Sequence, residues 1–368
     1  MKKIVIVSYA TYPGISPRQL RTNELAKELA RQGHKVTLYV LKGGYNYESY
    51  EKETGIKVKD LGQTLFFKFN HKTGLKLTLP FKFIKIILGR FFEFPFIELT
   101  IKTYKSIKNE KDIDLLITIG SPHPIHWGAA LLRTLKPKNL GKTTWVSDCG
   151  DPYMGNSLIK YPFYFKYIEK WFCRKTDFIS VPTEEAKNAY YPEFQKKIKT
   201  IPQGFNFNDI KIEKNFKKNK IPTFIYAGSF YIKLRDPRPL LDYLSTINKD
   251  FRFIIYTKNK YLLKKHQEKL GEKLIRLNYI PREELLLEMS KSDFLVNIEN
   301  PSKVQSPSKL IDYCLSGRPI LNIDTNKEID KKTINEFLNG DYSNAFKLDN
   351  IEKYNIETVA NQFLTIDL

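Results

Sequence analysis

Short apolar runs alternate with amphipathic stretches along the first half of the chain. The stretches Arg18–Arg31 and Ile125–Leu135 repeat apolar residues at helical spacing, and the short apolar runs between such stretches predict buried strands. The predicted strands are Lys3–Ser8, Lys35–Val40, Leu115–Ile119, Thr144–Ser147 and Phe178–Val181. Buried strands separated by helices predict a parallel, doubly wound sheet with right-handed crossovers.

The same alternation starts again after Asn206–Lys220, a polar segment rich in lysine and asparagine that we interpret as a linker. We therefore expect an α/β chain of two Rossmann-like domains, residues 1–205 and 206–350, facing each other across a cleft. A C-terminal helix within residues 351–368 is expected beyond them, in a position to pack back on the first domain. Open α/β folds bind ligands at the carboxyl ends of their strands, so the cleft is the expected site.

Composition narrows the class of protein. The chain has 368 residues, of which 42% are hydrophobic and 27% charged, as in a folded globular protein. Its three cysteines give no paired framework, which favours a reducing cytoplasm. The net charge of +21 calls for an anionic partner or reflects biased composition. The sequence contains no zinc-knuckle spacing or RNA-binding aromatic motif, so we expect an anionic lipid surface and not nucleic acid.

The stretch VQSPSKLIDYCLSGRPIL, residues 304–321, is the most informative in the sequence. It resembles the donor-site motif of glycosyltransferase family 4, whose members have the GT-B fold of two Rossmann-like domains. In that family an acid lies five residues before the glycine of a turn, and here the acid is Asp312 and the glycine Gly317. Similar stretches follow the family's order over most of the chain: YPGISPRQLRTNELAKELARQGHKVTLYV, WVSDCGDPY, SVPTEEAKNAY, IPQGFN and YAGSFYIKLRDPRPLL.

The resemblance implies an enzyme that moves a sugar from a nucleoside diphosphate sugar, such as a UDP-, GDP- or dTDP-sugar, to a hydroxyl of a glycan or lipid-linked acceptor. It also implies retention of anomeric configuration and a role in bacterial envelope polysaccharide or lipid-glycan synthesis. Two alternatives are a nucleotide-sugar epimerase of the same fold and a non-catalytic scaffold or partner subunit.

The helix expected after Ser306 and Pro307 offers an anion site, because its first amide groups and its dipole point at the ligand. Lys309 lies in the first turn, where a cation costs about 0.3–1 kcal/mol, and a bound diphosphate would reverse that sign. The alternative is that Lys309 points to solvent. Gln305, Ser306 and Ser308 complete this part of the expected donor site.

Asp312 is expected to accept hydrogen bonds from the donor's ribose, as the resemblance implies, unless it is an ordinary acid on a helix surface. The first acid of the family's Glu-x7-Glu pattern would fall at Val304, so Gln305 and Glu299 are the candidates to take over its contacts to the sugar ring.

Three further residues are assigned to the donor site. Gly228 ends the first strand of the second domain and would let the backbone approach a ligand. Arg235 corresponds loosely to the family's basic residue for the donor phosphates, and the alternative is a plain loop cation. Gly14, after the first strand, matches a family loop near the phosphates, or it simply serves a turn.

Candidate catalytic residues follow two strands of the first domain. His123 comes after Leu115–Ile119, and Asp148 and Asp151 come after Thr144–Ser147, at the functional edge of the sheet. The carboxylates could position or deprotonate the acceptor hydroxyl, or they could be turn residues. His126 is expected to be structural.

No metal and no cofactor are expected, and the nucleotide sugar is a substrate. The Asp112–Ile113–Asp114 string precedes its strand, at the wrong end of the sheet for a metal site, and the sequence shows no ligand cluster with metal spacing. Basic groups and helix dipoles would stabilise the leaving diphosphate instead.

The segment of residues 66–105 is unusually aromatic and basic. Phe81, Ile84, Leu88 and Phe91 share one helical stripe, flanked by Lys82, Lys85 and Arg90. Pro95 should break this helix. The pattern is typical of a helix lying in a membrane interface, and the alternative is a core helix with solvated lysines. We therefore expect a cytoplasmic enzyme bound peripherally to the inner face of the plasma membrane.

Overall fold

The computed structural model describes residues 1–14, 16–65, 79–156, 159–208, 210–230, 235–258, 260–299 and 308–367, with the backbone alone for 79–82, 260 and 308. The chain divides into two compact units. Unit 1 contains Met1–Phe205 together with Lys353–Leu368, and unit 2 contains Asn206–Glu352. Each unit has a parallel sheet with helices, as the alternation of apolar and amphipathic segments predicts.

Unit 1 has seven strands among the described residues, and all neighbouring strands are parallel. Their order across the sheet is β3-β2-β1-β4-β5-β6-β7. The strands are β1 (Lys3–Val7), β2 (Lys35–Val40), β3 (Lys57–Asp60), β4 (Leu115–Ile119), β5 (Thr144–Asp148), β6 (Phe178–Val181) and β7 (Ile198–Thr200).

The helices of unit 1 include both of those predicted between its strands. They are α1 (Pro17–Arg31), α2 (Glu48–Thr54), α3 (Leu79–Phe92), α4 (Glu98–Ile107), α5 (Pro124–Leu135), α6 (Phe165–Lys175) and α12 (Ile356–Leu364). Short 3-10 helices lie at Pro137–Leu140, Glu185–Ala189 and Pro192–Lys197, and a fourth, Ile351–Tyr354, crosses the boundary with unit 2. Helix α3 ends just before Pro95, as its missing amide hydrogen requires.

Unit 2 repeats the pattern on a smaller scale, with five parallel strands among the described residues in the order β10-β9-β8-β11-β12. The strands are β8 (Thr223–Ala227), β9 (Arg252–Tyr256), β10 (Leu274–Leu277), β11 (Phe294–Ile298) and β12 (Ile320–Ile323). The helices are α7 (Arg238–Leu244), α8 (Lys264–Leu270), α9 (Arg282–Ser290), α10 (Ser308–Leu315) and α11 (Lys331–Asn339), with 3-10 turns at Lys260–Leu263 and Gly271–Lys273.

Both sheets reverse their strand order at one point. In unit 1, β1 and β4 are neighbours, and the chain continues from β1 to β2 on one side and from β4 to β5 on the other. In unit 2, it continues in the same way from β8 to β9 and from β11 to β12. The loops that follow these strands diverge and leave a crevice at the carboxyl edge, where such sheets bind ligands. Gly14 follows β1, His123 follows β4, Gly228 follows β8 and Lys309 follows β11. The topology therefore brings the predicted residues of each unit to its own switch point.

Alternating side chains of the central strands build the cores. In unit 2, Phe224 and Tyr226 face one layer of helices, and Ile225 and Ala227 face the other. In unit 1, β1 places Ile4 and Ile6 in a core cluster that also contains four apolar residues of helix α12, which are Ile356, Val359, Ala360 and Phe363. The last helix of the chain is thus part of the first unit's core.

Strands β3 and β7 were not predicted from the sequence. Both are edge strands of three or four residues, and each has only one buried side chain, Val58 and Ile198 respectively. Neither presents the apolar run by which buried strands were predicted. Among the described residues, no helix has both the length and the hydropathy required to cross a membrane.

Candidate functional site

The loop after β1 is fitted closely against the start of helix α1. The Gly14 amide donates to the Thr11 carbonyl (3.0 Å), which closes a turn. A Cβ on Gly14 would overlap the side chain of Gln19, and Gln19 Oε1 accepts from the Ser16 amide (2.9 Å) at the helix N-terminus. Gly14 therefore serves the turn and the cap, which fits the alternative role given to it above. A ligand contact remains a prediction.

Asp148 is buried at the end of β5 and is fully engaged by basic groups. Its Oδ1 accepts from Arg21 Nη2 (2.9 Å) and Ser180 Oγ (2.7 Å), and its Oδ2 from Arg18 Nη1 (3.2 Å) and Arg21 Nε (3.3 Å). Burial opposes ionisation, but the charges of Arg21 and Arg18 outweigh it and lower the pKa of Asp148. A carboxylate held this way is a poor general base, and the geometry favours a role in orienting the two arginines.

Arg21 was missed by the sequence analysis, although a signal for it exists. It precedes Leu25 and Leu29 at intervals of four on α1, which places a cation on the buried stripe of that helix. Its guanidinium also donates to the Pro202 and Ile201 carbonyls and lies over the Phe363 ring at 5.2 Å. Arg21 thus ties α1 to β5 and to the C-terminal helix.

Arg18 is the more accessible of the two arginines, with 25% of its side chain exposed. Its guanidinium lies against Gly150, so closely that a Cβ at that position would overlap it. Glycine at residue 150 therefore leaves the space in which Arg18 reaches Asp148. The arrangement directs one partly exposed cation to the carboxyl edge of the sheet.

We expect Gly150→Ala to lower activity about as much as Arg18→Ala, because the added methyl group displaces the Arg18 guanidinium. Stability should change by about 1 kcal/mol or less, since the displaced atoms are the end of a flexible side chain and Asp148 keeps its hydrogen bonds from Arg21 and Ser180. Steady-state kinetics and thermal unfolding of both variants test this. Wild-type turnover in Gly150→Ala would show that the position of Arg18 is unimportant.

His123 stands at the start of helix α5 with its ring buried against Tyr153, the centroids being 4.7 Å apart. Burial, reinforced by the charge of Arg18, lowers the pKa of His123 to about 4, so the ring is neutral at pH 7. Its Nε2 is buried and has no hydrogen-bond partner among the described residues. An unpaired imidazole nitrogen at the carboxyl edge suits a ligand hydroxyl.

Asp151 is half-buried in the next loop, with its backbone close to the His123 ring. His126 instead belongs to the interior, because Nδ1 lies 2.7 Å from Thr118 Oγ1 and Nε2 lies 3.5 Å from Cys149 Sγ. This agrees with the structural role predicted for it. At the opposite end of the sheet, the Asp114 carboxylate accepts from the Lys3 amide (2.6 Å).

In unit 2, Lys309 lies in the first turn of α10, beside Gly228, the residue that follows β8. Its Nζ is 3.6 Å from the centroid of the Tyr226 ring and 5.1 Å from that of Tyr313. A Cβ built on Gly228, whose φ is +146°, would lie 3.6 Å from the same nitrogen. The side chain therefore folds back over β8 and does not extend into solvent, contrary to the alternative considered above.

The Lys309 ammonium is excluded from solvent and has no hydrogen-bond partner in the described part of the chain. Burial lowers the pKa of Lys309 well below its ordinary value, and the charge of Arg235 lowers it further. Two basic groups thus converge beside a glycine at the switch point of the sheet. Such a site is completed by an anion.

Asp312 lies one turn beyond Lys309 and forms an ion pair with Arg282, the first residue of α9. Arg282 Nη2 and Nε donate to Asp312 Oδ1 at 2.6 and 2.9 Å. Of the remaining predicted donor residues, Gln305 and Ser306 lie outside the described residues, and Ser308 is described only as the first residue of α10. Glu299 follows β11, where Oε1 accepts from Asn322 (2.5 Å).

The segment predicted to meet a membrane is described from residue 79 onward. Helix α3 exposes its apolar side chains, including 65% of Phe83, 68% of Ile86 and 60% of Phe92, and Lys85 and Arg90 are exposed beside them. Tyr164 donates to the Phe91 carbonyl, which brings the start of α6 with its exposed Phe163 close to this helix. The described part of α3 is therefore not a core helix.

Comparison with known proteins supports one family. Residues 20–209 match the model of Glycosyltransferase Family 4, about half of the chain. No curated protein matches the sequence. The fold is similar to that of a glycosyltransferase from Rickettsia africae (TM-score 0.62, 12% identity, 99% of this chain and 94% of that one).

It is also similar to HepE from Anabaena in complex with UDP and glucose (TM-score 0.58, 10% identity, 100% and 99%). A lipopolysaccharide outer core galactosyltransferase, WaaB, gives a TM-score of 0.58 at 12% identity, with 100% of both chains covered. A putative UDP-N-acetylglucosamine 2-epimerase from Listeria monocytogenes gives 0.51 at 12% identity, with 99% and 95% covered. The chain belongs to glycosyltransferase family 4 and is a glycosyltransferase of the GT-B fold.

Proposed function

We propose that the enzyme transfers a sugar, with retention of configuration, from a nucleoside diphosphate sugar to a hydroxyl of a lipid-linked or envelope glycan. The donor is assigned to the switch point of unit 2 and the acceptor to the carboxyl edge of unit 1. HepE was solved with UDP and WaaB acts on lipopolysaccharide outer core, which supports this choice of ligand classes.

The observation that carries the donor assignment is the Lys309 ammonium. It is buried, unpaired among the described residues and repelled by Arg235, so the unliganded site is electrostatically incomplete. A diphosphate supplies the missing charge, and Gly228 leaves room for its approach. As the bond to the sugar breaks, negative charge grows on the diphosphate, and Lys309 and Arg235 are positioned to stabilise it.

On this proposal the chain's own cations neutralise the leaving group, so neither a metal nor a cofactor is required. In unit 1 we assign His123 a hydrogen bond to a sugar hydroxyl, because its neutral Nε2 is unpaired among the described residues. Asp151 is the remaining candidate for positioning the attacking hydroxyl, since Asp148 is occupied by Arg18 and Arg21.

A nucleotide screen tests the donor assignment. We expect one of UDP, GDP, ADP or dTDP to stabilise the protein in thermal unfolding, by about 2.7 kcal/mol at a concentration 100-fold above its dissociation constant. Release of nucleoside diphosphate from the matching sugar nucleotide in the presence of acceptor then distinguishes a transferase from an epimerase. Absence of any nucleotide effect would favour the non-catalytic alternative.

We further propose that the exposed apolar surface of α3 docks the enzyme on the inner face of the plasma membrane. The support is the combination of exposed aromatic and aliphatic side chains with Lys85 and Arg90, which match an acyl boundary and anionic headgroups. The net charge of +21 acts in the same direction.

Replacing Lys82, Lys85 and Arg90 with glutamate should release the enzyme from vesicles that contain anionic phospholipid. Each basic residue near the surface contributes about 1 kcal/mol of binding, and the glutamates would be repelled. Cosedimentation measures the bound fraction. The matched control reverses the exposed Lys264, Lys265 and Lys269 of unit 2, with the same change in net charge. Equal binding of the two variants would place the docking surface elsewhere.

A further inference from the structure

The ion pair between Arg282 and Asp312 joins two helices of unit 2 at the proposed donor site. Arg282 is the first residue of α9, and Asp312 lies in the middle of α10. Two guanidinium nitrogens donate to the same carboxylate oxygen, Oδ1, at 2.6 and 2.9 Å. Among the described residues, none donates a hydrogen bond to the other oxygen, Oδ2. The pair therefore fixes the carboxylate, and no described residue occupies its second oxygen, Oδ2.

The partial burial of this ion pair determines how strongly Asp312 depends on Arg282. The side chain of Asp312 is 20% exposed and that of Arg282 is 37% exposed, so the pair lies at the border between core and solvent. Burial raises the pKa of Asp312, and the charge and hydrogen bonds of Arg282 oppose that effect. Without the guanidinium, a carboxylate in this position would lose both its preferred orientation and the partner that keeps it ionised.

We propose that Arg282 is a positioning residue for nucleotide recognition, holding Asp312 so that its Oδ2 accepts from the ribose hydroxyls of the donor. This inference rests on the donor site proposed above and adds a residue to it. Arg282 acts through Asp312, and the nucleotide itself is bound by the aspartate. A side chain 30 positions away in the sequence thus sets how tightly the nucleoside part of the donor is held.

The test compares Arg282→Met, Asp312→Asn and the double variant by isothermal titration calorimetry. The probes are UDP, GDP, ADP and dTDP, the 2′,3′-dideoxy form of whichever binds most tightly, and inorganic pyrophosphate. We expect each single variant to weaken binding of the nucleotide about tenfold, the size of one charge-assisted hydrogen bond. The dideoxy nucleotide and pyrophosphate should bind all variants equally, and the double variant should be no weaker than either single one.

Arg282→Lys should restore part of the affinity, because it keeps the charge but loses the two-nitrogen contact. Lys291→Met is the matched control, since it removes a surface ion pair with Glu288 (2.7 Å) at the other end of the same helix. It should leave every affinity unchanged. If Arg282→Met does not fold, Arg282→Lys and Arg282→Gln take its place.

Two results would overturn the inference. If Asp312→Asn weakens nucleotide binding and Arg282→Met does not, or if their effects add, Arg282 does not act through Asp312. If Asp312→Asn and Lys309→Met both bind every nucleotide like the wild type, the donor site itself is wrongly assigned, and the role of Arg282 falls with it. The first result leaves the proposed function standing, so the two failures are distinguishable.

Discussion

Lys309→Met is expected to make the unliganded enzyme more stable and the catalysed reaction about 100- to 1,000-fold slower, the usual loss when one preorganised charge donor is removed. Methionine keeps the length and apolar contacts of the side chain but removes a buried nitrogen that has no partner among the described residues. Relieving that cost should raise the free energy of unfolding by about 1–3 kcal/mol. Activity and stability should therefore change in opposite directions.

The pH dependence of stability gives an independent check. The folded protein holds Lys309 at a pKa well below that of an unfolded lysine, so unfolding takes up a proton in the range between the two values. The free energy of unfolding of the wild type should then rise with pH through this range. In Lys309→Met this contribution should be absent. Urea titrations at several pH values measure the difference. Lys291→Met is the control, because it replaces an exposed lysine.

Two other outcomes would change the interpretation of Lys309. If Lys309→Met lowers stability and leaves turnover unchanged, the ammonium is an internal structural group and the donor assignment loses its main support. If turnover falls without a gain in stability, the cation–π contact with Tyr226 compensates the burial of the nitrogen.

Asp148→Ala is expected to destabilise the enzyme by about 3–5 kcal/mol, because it leaves the buried Arg21 guanidinium without its anionic partner. Arg21 has 3% of its side chain exposed, so water cannot replace the carboxylate. Loss of Arg18 orientation adds a catalytic defect to the loss of stability. Because the pKa of Asp148 is lowered in the folded state, its stabilising contribution is present above the ordinary aspartate pKa and disappears as the pH falls below it.

Denaturant unfolding at pH 7 measures the loss. The matched control is Asp324→Ala, which removes a carboxylate from an exposed pair with Lys327 (3.4 Å), and such pairs contribute about 0–1 kcal/mol. A loss for Asp148→Ala as small as that of the control would mean that the existing hydrogen bonds from Arg21 to the Pro202 and Ile201 carbonyls are enough to compensate its buried charge.

The alternation of apolar segments was sufficient to predict the α/β architecture, because every central strand is buried and repeats the same signal. The positions of His123 and Asp148 at the carboxyl edge also followed from that pattern. The environments of these two side chains could not be predicted from it. The two arginines on Asp148 come from a helix more than a hundred residues earlier, and only the register of α1 against β5 brings them together.

The donor site was likewise predictable only in part. The start of a helix near Ser308 and the acid at Asp312 were predicted from motif and capping signals. That Lys309 lies over the Tyr226 ring, and that Arg282 holds Asp312, depends on how α10 packs on β8 and α9. Pairs of this kind are fixed by the tertiary packing of side chains distant in sequence, and a single sequence carries no local signal for them.

The return of the chain to unit 1 has a practical consequence for dissecting the enzyme. The Phe205 amide donates to the Tyr354 carbonyl (2.8 Å) and the Ile356 amide to the Phe205 carbonyl (2.9 Å), so the points of departure and return are adjacent. Cutting the gene after residue 205 would remove five core side chains from the fragment, those of Ile356, Val359, Ala360, Phe363 and Ile366, and expose the apolar surface on which they pack. A minigene that joins Phe205 to Lys353 through a short glycine-serine bridge retains them, and provides the first unit as a self-contained fragment for acceptor-binding studies.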